Sequence, residues 1–404
     1  MPDLINEFLD LTEGLPSPAL FRLWSAIALV GGALERRVWV PAGVKQTFPN
    51  LYTLLVAPPG VGKQIIEEVR DIWREALEPG TKSPAFRVAP GSITQASLVD
   101  ELAKARNTKL AASGPPLDYC SLLVASEELQ VLIPQWDPAF LGKIVYIYQN
   151  PTVHDEARRT GFVKELKIQF PQLNLLGGTQ PGMMAATFPE EAWSTGLTAR
   201  ILMIYSAEEF MGNIFEVNGY NLDSRAELVA KVSELAGLAG PLEMAPDGQE
   251  LIWQFHHGKG QYPRPSHSKL EHYCRRRGQH TIKLALISAI ARGRRPGQTV
   301  ELADVQRAIG WLTEAEALMP DIFRAMTGRS DSQVLEELYF YTSNLWRTGN
   351  GKPIHEQKLM YFLGQRVPSE KIEKLLSSAE RMGIIERMAG EAAYRPRAKD
   401  GVIE

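Results

Sequence analysis

The residues with the clearest chemistry are Ala57-Pro58-Pro59-Gly60-Val61-Gly62-Lys63-Gln64. Their spacing fits the pattern G-x-x-x-x-G-K-[ST], with Ala in first place and Gln in last. Small residues in such a loop let backbone N–H groups turn inward around phosphate oxygens. A following helix N-terminus adds partial positive charge, and Lys63 would reach the β- and γ-phosphates. Pro59, Gly60, Val61 and Gly62 would form the cradle. Gln64 departs from the pattern, because the usual Ser or Thr hydroxyl coordinates Mg²⁺ and a Gln amide oxygen reaches the metal less compactly. Phosphate binding is therefore the firmer expectation and hydrolysis the weaker one.

A second constellation is Leu122-Leu123-Val124-Ala125-Ser126-Glu127-Glu128. Two carboxylates at a strand's C-terminal end can hold Mg²⁺ and polarise an attacking water. In one register Glu127 serves the metal and Glu128 is the base; in the other Ser126 stands in the metal position and Glu127 is the base. The first is preferred, because Glu is the nearest substitute for the Asp usual at a metal site. The plainer reading is a solvated helix start whose acids favour the helix dipole. Thr179-Gln180 stand where a polar side chain could sense a γ-phosphate, unless they only cap a turn. Arg200 could stabilise transition-state charge on a neighbouring subunit's nucleotide, unless it pairs with a local carboxylate.

These groups need a scaffold, and the hydrophobic pattern supplies one. Tyr52–Val56 is a continuous β-leaning apolar run, closed by the loop, and Gln64 to Leu77 has helical spacing. A helix over Ser97–Arg106 follows, then a buried strand over Tyr119–Ala125 and a helix over Phe140–Tyr148. Further buried strands cover Leu173–Gly177 and Arg200–Tyr205. Strands alternating with helices predict a parallel α/β sheet. Before them, Ser17-Pro18 would cap a helix over Ala19–Leu34, and Arg37–Pro41 reads as a short strand. The pattern weakens over 206–265, and helices resume over 266–326.

Composition bounds the rest. The chain has 404 residues, enough for two or three domains. Forty-four Lys+Arg against 47 Asp+Glu leave a formal charge of −3, which excludes nucleic-acid binding by bulk charge, so any such site must be local. Cys120 and Cys274 are too few for a disulfide framework, which makes a reducing cytoplasm the default. The apolar run Leu23–Leu34 is too short to span a bilayer, and the N-terminus lacks a basic n-region, so no membrane partner is expected. His256, His257, His267, His272 and Cys274 lie close in sequence but lack paired zinc-ligand spacing.

The order of these motifs resembles that of an AAA+ P-loop ATPase: Walker A at 57–64, Walker B at 122–128, a sensor-like Thr179-Gln180 and an arginine-finger-like Arg200. Arg276–Ala285 and Val305–Leu312 resemble the lid helices of minichromosome-maintenance-type helicases, in which register Arg276 would contact the nucleotide as a second sensor. With Phe21–Trp24 and Thr179–Pro181, the layout also resembles phage and mobile-element replication proteins. The resemblance implies an α/β AAA+ core over 51–210 behind a helical lead-in (1–50), with a connecting segment and helical lid over 211–327. A C-terminal domain over 332–404 would follow, its three helices and hairpin resembling a winged helix. It further implies ATP and Mg²⁺ as cofactors, and a ring, expected to be hexameric, that acts on single-stranded or forked DNA. Arg158, Arg159, Lys164 and Lys167 lie where ring helicases carry a pore hairpin, with Lys164 the foremost DNA-contact candidate. Six basic residues of the last domain face an almost equal number of acids, so that domain could take DNA or a replication partner protein. The implied function is an ATP-dependent DNA helicase or translocase of a phage or mobile element. The alternative is a slowly hydrolysing helicase loader or scaffold; a small-molecule P-loop kinase fits the lid and C-terminal domain poorly.

Overall fold

Tyr52–Val56 is buried at every position, as a strand covered on both faces must be. In the computed structural model it is strand β1 of a five-stranded sheet. The others are β2 (Arg106–Lys109), β3 (Leu117–Ser126), β4 (Pro171–Thr179) and β5 (Ile201–Tyr205), in the order β2-β3-β4-β1-β5. The structure describes residues 3–109, 117–133, 136–157, 165–194, 196–209, 220–265, 267–326, 331–364, 366–367, 369–388 and 392–397.

Four of the five strands run parallel. β1 lies between β4 and β5, with Val56 opposite Thr179 on one side and Tyr205 on the other. β3 pairs with β4 in parallel, and β2 runs antiparallel to β3 at the sheet edge. That reversal was not expected from the strand–helix alternation. Polar pairs across the ladder hold it: Thr108 donates to Asp118 at 2.5 Å and Arg106 pairs with Asp118 at 2.9 Å. Farther along the same edge, Arg87–Ala89 continues in parallel, bonded to both sides of Leu123.

The sheet's helical cover starts from sequence. The apolar run near the N-terminus forms helix α1 (Ala19–Leu34), buried along most of its length. Helix α2 (Ile65–Glu75) follows the loop, and its Ile66, Val69, Ile72 and Trp73 face inward. Gly32 lets the two approach closely: a Cβ there would lie 2.5 Å from the Trp73 ring, whose indole donates to the Leu29 carbonyl at 3.0 Å. Truncating a tryptophan so enclosed typically costs about 3–5 kcal/mol. Ser17 does not cap α1 through its side chain; Pro18 is the cap residue, and the Ser17 hydroxyl bonds elsewhere.

Where the sequence pattern weakens, two helices nonetheless form, Leu222–Leu235 and Pro246–His257. The first is capped by Asn221, which accepts from the Asp223 N–H at 2.8 Å. Helix α3 (Arg277–Ala291) is buried on nearly every face. Arg277 makes a two-point ion pair with Glu316 of the helix Leu302–Met326, at 2.8 and 2.6 Å, and Tyr273 donates to the same carboxylate at 3.0 Å.

The chain divides into two compact units, 1–322 and 323–404, so the lead-in, sheet and following helices belong to one body. The second unit has helices Asp331–Thr348, Glu356–Gly364 and Ser369–Arg381. Its small antiparallel sheet places Ala393–Pro396 between Ile354–His355 and Ile385–Arg387. Ile354 pairs with Tyr394, and the helix starts at Glu356 once the His355 ring has accepted from the Gln357 N–H. Val334, Leu338, Leu359, Leu363, Leu375 and Tyr394 form that unit's core. No helix among the described residues is long and apolar enough to cross a membrane.

Candidate phosphate site

The loop begins where β1 ends. The Ala57 N–H still donates to the Thr179 carbonyl, and the Ser206 N–H to the Val56 carbonyl, both at 3.2 Å, so the chain leaves the sheet anchored on both sides. Gly60 then adopts φ +85°, a left-handed conformation natural to glycine, and Val61 turns inward. Among the described residues the backbone N–H groups of Gly60, Gly62, Lys63 and Gln64 donate to no protein acceptor. Unbonded donors gathered ahead of a helix are what an anion needs. They border a cavity of about 510 Å³ that also takes in Lys63, Glu127 and Glu209.

The loop is braced from outside by the N-terminal lead-in. The Ser17 hydroxyl donates to the Gly62 carbonyl at 2.8 Å, and a Cβ on Gly62 would lie 1.6 Å from the Pro16 carbonyl oxygen. Only glycine fits that contact.

The charges of the cavity are coupled. Partial burial lowers the Lys63 ammonium from its ordinary pKa, while Glu127 and Glu128 pull it back up. The Glu127 carboxyl is held above the ordinary carboxylate value. Burial is the main cause, followed by the charge of Glu67 and a hydrogen bond with it; Arg70 and Lys63 oppose the shift. Arg70 in turn donates to Glu67 at 2.8 Å. Glu128 is exposed and does not line the cavity. Ser126 spends its hydroxyl on the Glu128 carbonyl at 3.1 Å. Gln64 is exposed at the cavity rim.

Thr179 ends β4 beside the start of the loop, and its buried hydroxyl accepts from the Gln130 amide at 2.5 Å. Gln180 is the cap residue of the helix Pro181–Thr187 and is not among the cavity's lining. Arg200 is buried: it donates to the Gly196 carbonyl and lies 5.9 Å from the Tyr148 ring. Burial, with the neighbouring charge of Arg276, pushes its pKa down to about 10. Arg276 donates to Gln279 at 2.8 Å and lines a different cavity. The structure thus brings Lys63, Gln64 and Glu127 together and gathers Arg200 with Arg276 elsewhere. Lys167 is exposed on the strand Glu165–Gln169, opposite Asp155 of its antiparallel partner Val153–Ala157. Arg158, Arg159 and Lys164 lie outside the described residues.

Sequence reasoning missed Pro16, Ser17, Glu67 and Glu209. Glu67 lies in the first turn of the helix that follows the loop. The contact between Ser17 and Gly62 spans 45 positions and had none.

Among the described residues no group of three or more His, Cys, Asp or Glu side chains is placed to hold a metal. Mg²⁺ bound with a nucleotide needs only one or two carboxylates, since the phosphates and water supply the remaining oxygens. Glu127, with Glu67 nearby, is of that smaller number. No protein-family model matches the chain, and no curated protein matches it significantly.

Proposed function

We propose that the chain is a P-loop ATPase of the AAA+ type that works on DNA as a ring, a helicase or translocase in replication of a phage or mobile element. The observation that carries the nucleotide reading is the set of four acceptor-free N–H groups around Lys63, at the carboxyl end of a strand flanked by parallel neighbours. Lys63 would meet the β- and γ-phosphates, and Glu127 with Gln64 would face Mg²⁺. When bound, the metal would neutralise charge on the phosphates. The chain's own residues would orient the phosphates and supply Glu128 as a nearby exposed carboxylate. The strand order and the helices after β5 support the AAA+ assignment. The three helices and three-stranded sheet of the second unit support a winged helix, for DNA or for a partner protein.

A second reading, a helicase loader or scaffold with slow hydrolysis, is favoured by two observations. Gln64 replaces the metal-binding hydroxyl, and Arg200 is buried against Tyr148 rather than presented to a neighbouring subunit. ATPase rate with and without single-stranded DNA separates the two, measured for wild type, Lys63→Ala and Gln64→Thr, alongside strand displacement. DNA-stimulated turnover that Lys63→Ala abolishes supports the helicase. ATP-dependent assembly without turnover or strand displacement supports the loader.

A further inference from the structure

A second cavity, of about 570 Å³, lies in the first unit, lined in part by Tyr148, Asn150, Trp253, Arg276 and Lys283. Its volume suits a small ligand. Its lining carries cationic side chains, and among the described residues no aspartate or glutamate.

The cations lack a counter-charge. Lys283 is fully enclosed; its ammonium donates to the Asn50 carbonyl at 2.8 Å and side-chain oxygen at 2.7 Å, and lies 4.0 Å from the Tyr148 ring centre. Burial first, then Arg276 and Arg200 as like charges, push the Lys283 pKa well below its ordinary value, a shift that a bound anion would reverse; none of the three is within ion-pair distance of a described carboxylate. Buried charges are normally paired, because an isolated one costs several kcal/mol, on the order of the penalty for a buried ion. An anion from outside would supply the pairing. The buried hydroxyl of Tyr148, a residue of the lining, has no hydrogen-bond partner.

The cavity also asks for more than an anion. The Asn150 side-chain oxygen is buried without a donor. Gln249 and Gln279 add further amide groups to the lining, and the half-exposed Trp253 offers a ring face. A phosphate with an attached hydrogen-bonding ring satisfies all of these together.

We infer that this cavity binds a nucleotide-class ligand, its phosphate on Arg276, Lys283 and Tyr148 and its ring edge on Asn150. The site is separate from the phosphate loop and does not depend on the function proposed for it.

The test uses the full chain carrying Lys63→Ala, which silences the loop. Calorimetric titration with the four common ribonucleoside monophosphates, with the matching nucleosides and with inorganic phosphate reads the site directly. One monophosphate should bind at least about tenfold more tightly than phosphate or its nucleoside. Adding Arg276→Gln or Lys283→Met should weaken it by about tenfold or more. Arg276 is only half-buried, so its variant remains informative if Lys283→Met fails to fold. Absence of saturable binding by every monophosphate overturns the inference. So does binding that Arg276→Gln leaves within about twofold, or phosphate alone binding as tightly as the monophosphates.

Discussion

Glu67, in the first turn of α2, lies near enough to Glu127, just past β3, that its charge joins burial in holding the Glu127 carboxyl above its ordinary value. A neighbouring carboxylate disfavours the ionised form.

Glu127 binds its proton more tightly in the folded chain than in the unfolded one. Its contribution to stability is thus lost as the pH rises from the ordinary carboxylate value of 4.5 through the raised folded one. Glu127→Gln should melt higher than wild type at pH 8, with the difference vanishing toward pH 4. Scanning calorimetry across that range checks the direction; a variant that melts lower at pH 8 would contradict it.

The two loop glycines should fail in different ways. Gly60 has left-handed backbone and open space beside it, so Gly60→Ala should cost only the conformational penalty, about 1–2 kcal/mol. Gly62→Ala meets the Pro16 carbonyl and must displace the lead-in, costing about 1–3 kcal/mol and weakening nucleotide binding as well. Urea denaturation and nucleotide titration of both variants distinguish strain from collision.

Lys63→Ala should abolish ATP binding at the loop while leaving the second cavity untouched, and Gln64→Thr should restore a compact metal ligand. The second change is expected to raise turnover about tenfold, equivalent to roughly 1.4 kcal/mol of barrier. Steady-state phosphate release at saturating Mg²⁺ is the measurement, and an unchanged rate removes Gln64 as the limiting feature.

The enclosed pair of Arg277 and Glu316 should be costly to break. Glu316→Gln leaves a guanidinium buried without its charge partner and should lose about 3–5 kcal/mol. Replacing both by apolar residues of similar volume should cost less than either single change. Chemical denaturation of the single and double variants gives the comparison.

Sequence periodicity located the central scaffold closely. The reading of Tyr52–Val56 as a strand and Ala19–Leu34 as a helix coincides with the structure, because both are apolar runs, one opened by Pro18 and the other closed by Ala57-Pro58. The helix after the loop and the three later buried strands lie within a few residues of their expected limits. What escaped was set by distant partners. The edge strand Arg106–Lys109 is polar and owes its place to Asp118 on the neighbouring strand. The helices Leu222–Leu235 and Pro246–His257 bury only narrow faces, so their periodicity was faint. At the site, local spacing revealed Lys63 and Glu127, but the meeting of Arg200 with Arg276 depends on how β5 and α3 pack. That arrangement has no local signature.

The brace between Ser17 and Gly62 has a thermodynamic consequence. A loop already held in shape surrenders little conformational entropy when an anion arrives, so more of the contact energy remains as affinity. The lead-in then acts as a tuning element. Shortening or loosening residues before Ala19 would weaken binding by enlarging the loop's unliganded ensemble, with every phosphate-contacting group still present.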